Sequence, residues 1–120
     1  MTIVRLDPAA QEAFEGALFP SGGVARQTLV GAQDSAQLSL TLLNFGAGAS
    51  NAFHTHSQDQ VIVVASGSGL VATETEVREV GVGDAVLFLA GEKHWHAACA
   101  TCGVGFISIT PKGTTTTVVG

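Results

Sequence analysis

His54-Thr55-His56, followed three residues later by Gln60, and Gly91-Glu92-Lys93-His94-Trp95-His96 together hold all four histidines of the chain. On a β-strand, residues i and i+2 project to the same face. Each His-x-His pair therefore aims two imidazoles at one point. Two such strands facing one cavity bring three or four neutral rings together. A lone histidine on an apolar sheet is ordinarily a hydrogen-bonded core or surface residue, but two matched pairs in a chain with no other histidine argue for more. Phe53, Val61, Ile62, Val63, Phe88, Leu89 and Trp95 set the pairs beside core strands. A buried, unpaired imidazole is costly there, and a bound metal removes that cost.

Outward from these stretches the chain reads as short strands punctuated by fifteen glycines. Strands are expected at 24–30, 37–45, 52–56, 60–65, 69–73, 76–80, 85–90, 94–98 and 104–110. The separators are Gly46-Ala47-Gly48, Ser66-Gly67-Ser68, Gly81-Val82-Gly83-Asp84 and Thr101-Cys102-Gly103. Leu38, Leu40 and Leu42 alternate with Ser39 and Thr41, the period of a strand with one apolar face. The runs Val61 to Ala65 and Ala85 to Ala90 suit strands buried on both faces. Regular short strands with glycine turns imply an antiparallel sandwich or small barrel. A helix is expected only over Pro8 to Leu18, with Asp7 as N-cap and Pro8 in the first turn. The tail from Thr114 to Val119 is β-prone, read as a loose end or as an extra edge strand, of this chain or added to a partner subunit.

The chain has 120 residues, 46% hydrophobic and 12% charged, with a net charge of −5. That length argues for a single domain over 1–120, and the apolar share excludes a disordered chain. Five scattered basic residues give neither a nucleic-acid footprint nor a polybasic membrane anchor. The longest apolar runs fall far short of a spanning helix. No secretory h-region opens the sequence, so the cytoplasm is the expected location.

The two histidine stretches resemble the motifs of the cupin superfamily, small jelly-roll β-barrel metalloproteins. The first motif runs G-x5-H-x-H-x3-E-x6-G, and here Gly48, His54, His56, Gln60 and Gly67 keep every spacing, with Gln60 where glutamate is usual. The second runs G-x5-P-x-G-x2-H-x3-N. Gly83, Gly91 and His94 keep their places, while Leu89 stands for the proline and Ala98 for the asparagine. The resemblance implies a jelly-roll barrel with a short N-terminal helix or turn, a homodimer, and one divalent transition metal held by His54, His56, Gln60 and His94. Three imidazoles and a neutral amide oxygen suit Mn, Fe, Ni, Co or Zn. Glutamine leaves the ion its full charge, which sharpens it as a Lewis acid and disfavours redox cycling. Four protein ligands leave room for a small-molecule substrate on a six-coordinate ion.

The same strings are similar to a subgroup of small cupins that includes manganese-dependent hydroxynitrile lyases and cupins associated with carboxymuconolactone decarboxylases. The lyase-like members often carry a further histidine on the following strand. Phe106 occupies that position here, so the resemblance lacks that acid/base group, which counts against cyanohydrin cleavage. His96 is outside the implied ligand set and is the one unassigned imidazole. It is the candidate catalytic base, with a rim or structural role as the alternative. The expected function is a lyase or isomerase acting on a small oxygen-containing substrate. The competing classes are a non-catalytic binding or sensing cupin and a metal-dependent dioxygenase.

The remaining features are weaker. Cys99-Ala100-Thr101-Cys102 is expected in a hairpin, where it can close a disulfide but lacks the helical setting of a redox motif. Glu74, Glu76 and Glu79 suit a solvated hairpin. Trp95 should face away from its flanking histidines. Arg26 and Arg78 are the two arginines whose reach to a carboxylate substrate the spacing leaves open.

Overall fold

A computed structural model describes residues 1–119. Ten antiparallel strands form one curled sheet in jelly-roll half-barrel form. They are β1 (Glu12–Ala13), β2 (Val24–Val30), β3 (Leu38–Phe45), β4 (His54–His56), β5 (Gln60–Thr73), β6 (Val77–Gly81), β7 (Ala85–Phe88), β8 (His94–Ala98), β9 (Val104–Pro111) and β10 (Thr116–Val118). The neighbour order is β1-β2-β3-β9-β5-β8-β4-β10, with β6 and β7 also paired to β5. No helix among the described residues is long and apolar enough to cross a membrane.

The strand β5 organises the molecule. Its first half pairs with β9 and β7, its second half with β8 and β6. The expected break at Ser66-Gly67-Ser68 is absent. The chain passes straight through, with a register irregularity between Val64 and Ser66. Gly67 makes this possible. Its φ is +68°, and a Cβ there would collide with the Gly103 carbonyl. Gly67→Ala should therefore cost about 2–4 kcal/mol, from left-handed backbone strain plus a backbone clash. Gly81, where a Cβ meets nothing within 4 Å, is the control. Denaturant unfolding checks both, and equal losses at the two positions would contradict the account.

One expectation at the N-terminus is corrected. Only Pro8–Ala10 is helical, a single 3-10 turn capped by the Asp7 side chain, which accepts from Ala9 N. The next residues are extended instead, with Glu12 opposite Arg26 and Phe14 N–H donating to the Val24 carbonyl at 2.9 Å. Pairing with β2 satisfies those backbone groups and seats the Phe14 ring 4.7 Å from Phe19. That outweighs a helical preference worth only tenths of a kcal/mol per residue.

The core is built from inward side chains of β2, β3, β5, β7, β8 and β9, including Phe45, Ile62, Val64, Phe88 and Phe106. The runs expected to be buried on both faces are not. In β5 burial alternates, with Ile62 and Val64 buried between half-exposed neighbours. In β7, Leu87 is 56% exposed, as is nearby Leu89 at 57%. A curled single sheet has only one covered face here, and β7 pairs with β5 alone.

Cys99 and Cys102 are joined in a disulfide. They do not close a hairpin. They sit where the chain crosses from β8 to β9, which pair with different halves of β5. The tail is an edge strand, but of its own chain: β10 pairs with β4, Thr116 opposite His56 and Val118 opposite His54.

Candidate metal centre

His54 and His56 lie on β4, and His94 and His96 on β8. The strands are neighbours, with His54 directly opposite His94. The two pairs thus meet across adjacent strands, as period two requires. The rings of His54 and His94 are 4.2 Å apart, those of His54 and His56 4.9 Å, and those of His56 and His94 5.2 Å. One ring nitrogen from each of the three lies within 4.8 Å of the others. A single ion with metal–nitrogen bonds of ~2.1 Å spans such a set after small side-chain adjustment. His94 is completely buried and stacks on Phe88 at 3.9 Å. Trp95, between the two histidines, faces the other way and packs edge-on to Phe53.

Hydrogen bonds decide which nitrogen each ring presents. His54 Nδ1–H donates to the Ala52 carbonyl at 2.6 Å, and His94 Nδ1–H donates to the Glu92 carbonyl at 2.8 Å. Carbonyls only accept, so both Nδ1 atoms carry hydrogen. His56 Nδ1 pairs with the Thr116 hydroxyl at 2.9 Å. Burial keeps the rings neutral, leaving Nε2 bare on His54 and His94. It lowers His54 and His56 from 6.5 to about 4, further depressed in both by neighbouring rings, while the Ala52 carbonyl partly offsets the shift at His54. Burial also lowers His94.

Gln60 joins this group. Its Nε2 donates to Ser108 Oγ at 2.9 Å, which turns Oε1 toward His94 Nε2, 3.2 Å away. Two acceptors thus face each other, and His56 Nε2 is buried without a partner. Crowded, unsatisfied acceptors cost free energy unless a cation sits among them. Ring N–H groups anchored on carbonyls are also how metal-ligating histidines are usually held. The donor set fits a divalent transition metal.

His96 stands apart. It is 1% exposed, with its ring 6.0 Å from His54 and 6.3 Å from His94. Asn51 clamps it twice. Asn51 Oδ1 accepts from the His96 backbone N–H at 2.8 Å, so Nδ2 donates to His96 Nε2 at 3.1 Å. The ring hydrogen is thereby placed on Nδ1, which is buried with no partner. Burial, reinforced by the three nearby imidazoles, holds the pKa of His96 well below 6.5. Phe106, fully buried, packs edge-on against it at 5.0 Å.

His56, His96 and Asn51 line a cavity of about 330 Å³. Phe14, Leu18 and Phe19 give it an apolar wall, and Ser39, Thr41 and Ser108 a hydroxyl wall. Thus the hydroxyl face of β3 points into the cavity, while Leu38, on the opposite face, is 50% exposed. A separate groove of about 490 Å³ between β6 and β7 contains no histidine. The chemistry-bearing residues that the sequence reading missed are Asn51, Ser108 and Thr116. None stands in a motif, and each meets its partner across 45 to 60 residues of chain.

The geometry agrees with comparisons to known proteins. A family model described as a cupin domain matches residues 41–109. An (R)-mandelonitrile lyase from Granulicella tundricola is 37% identical over 90 residues, spanning 74% of this chain and 69% of that protein. The polyketide cyclase RemF from Streptomyces resistomycificus shares the fold at a TM-score of 0.84 and 19% identity, over 99% of this chain and 87% of that one. A cupin-like protein from Thermotoga maritima does so at 0.82 and 21%, over 90% and 84%. With a half-barrel of this topology, a three-histidine cluster that can hold a metal ion, and a matching family model over more than half its length, the chain belongs to the cupin family.

Proposed function

We propose that this cupin is a small metalloenzyme of the lyase or isomerase type, of the subgroup marked by its two histidine strings. His54, His56, His94 and Gln60 would hold one divalent transition metal, manganese being the first candidate given the resemblance. The observation that carries the reading is the cluster formed by the bare acceptors His54 Nε2, His94 Nε2 and Gln60 Oε1 with the buried, unpartnered His56 Nε2. A metal bound there supplies Lewis-acid polarisation of a substrate oxygen.

The chain's own residues set the rest. Ser108 fixes which end of the Gln60 amide faces inward. Thr116 steadies the ring of His56, the one member of the three-histidine cluster at the cavity wall. His96 suits donation better than the base role expected from sequence, because its Nε2 is occupied and its free nitrogen already carries hydrogen. As a neutral donor in a dry pocket it stabilises negative charge developing on a substrate oxygen. Phe14, Leu18 and Phe19 exclude water from one side.

One observation favours a binding or sensing role instead: no carboxylate lines the cavity among the described residues. Turnover separates the two. Metal-loaded protein should convert at least one member of a panel of small cyanohydrins, hydroxy acids and diketones, and His96→Ala should slow that conversion by roughly 10- to 1,000-fold. Saturable binding with no turnover across the panel would establish the non-catalytic reading.

A further inference from the structure

We propose that Arg26 is a specificity residue that anchors a carboxylate, so that the cavity takes a small oxo- or hydroxy-acid whose carboxylate lies at the end remote from the reacting oxygen. This rests on the reading of the histidine-lined cavity as the substrate site. Of the two arginines the sequence left open, the structure separates them. Arg78 projects from β6, exposed and paired with Glu76 at 3.2 Å, and lines the other groove. Arg26 lines the same cavity as His56 and His96, where it is the one charged side chain among the described residues.

The sheet register explains that placement. Arg26 is opposite Leu43, Leu43 opposite Phe106, and Phe106 opposite Val64. Partners across a pleated sheet share a face, so Arg26 continues an inward row whose next three members are buried. Its guanidinium lies over the Phe14 ring at 4.1 Å, which restricts its approach. Among the described residues its hydrogen bonding is confined to Nε and Glu12 at 3.3 Å. The terminal Nη groups are left for a ligand. Glu12 is 67% exposed at its side chain and outside the cavity lining, so it is a weak, exchangeable counter-ion.

The cavity therefore offers two separate recognition points. One is the His56 and His96 pair, whose Nε2 and Nδ1 respectively are buried without a partner, the His96 Nδ1–H calling for an acceptor oxygen. At the other stands a guanidinium matched to a carboxylate in fork geometry. Thr41 and Ser108 are register partners, and both also line the cavity. A neutral ligand uses the first point only.

The test compares 4-oxopentanoate with its neutral methyl ester by calorimetric or NMR titration, in metal-free and zinc-loaded protein. Wild type should prefer the acid by roughly ten- to a hundredfold, the range for a hydrogen-bonded charge pair. Arg26→Gln should bring the ratio near one, Arg26→Lys should restore part of it, and Arg78→Gln should leave it unchanged. A wild-type ratio near one, or a preference that survives Arg26→Gln, overturns the assignment. Survival only in the zinc-loaded form would mean that the metal reads the carboxylate, leaving the metal centre intact. No saturable binding of either compound would overturn the substrate-cavity reading itself, and Arg26 with it.

Discussion

Replacing His94 with alanine is expected to lower divalent-metal affinity by more than about a hundredfold. Altering even the hydrogen-bond partner of a ligand costs ~10–100-fold, and His94 loses the donor itself. The ring is wholly buried against Phe88, so truncation also leaves a cavity. His56→Ala, at the half-buried rim, separates the two effects. It removes a bare Nε2 with little loss of packing. Competition with a chelator of known affinity measures both, alongside thermal unfolding. Wild-type metal affinity in folded samples of both variants would remove these histidines from the centre.

The second large effect is acid lability of the metal-free protein. In the unfolded chain histidines take up protons near 6.5, whereas folded His54 and His56 resist until about 4. Between those values the unfolded state binds more protons, so stability is present at neutral pH and is lost as pH falls. The slope approaches ~1.4 kcal/mol per pH unit for each histidine that stays neutral, with His94 and His96 adding in the same direction. Unfolding free energies at pH 7, 6, 5 and 4 check this. A flat profile across that range would show that the rings charge freely in the native state, against the buried, neutral cluster.

Much of the strand pattern was legible because it is local. β2 and β8 fall at their expected bounds, and the histidine pairs share one face because period two is a property of any strand. Gln60 was reachable through its spacing from His56. What escaped reading depends on distant chain. The Pro8–Leu18 stretch has helical composition, yet β2 supplies backbone partners that its own residues do not. Ser66-Gly67-Ser68 looks like a turn, but the Gly103 carbonyl packs where a side chain would stand, and Gly67 lets β5 run on. In β3 the leucine face runs from exposed Leu38 to buried Leu42, while Ser39 and Thr41 on the other face line the cavity, which the leucine alternation does not announce. Asn51 is the clearest case. Nothing marks it in the sequence, yet it decides the hydrogen placement on His96, leaving an N–H at Nδ1.

The metal centre requires a cation drawn to His54, His56, His94 and Gln60. Metal-stripped protein loaded with Mn(II) or Zn(II), dialysed and analysed for metal per chain, tests that most directly. The predicted result is about one ion per chain, with loading accompanied by changes in the ring signals of His54, His56 and His94. Failure to retain either ion, or retention that leaves those three rings unperturbed, would contradict it.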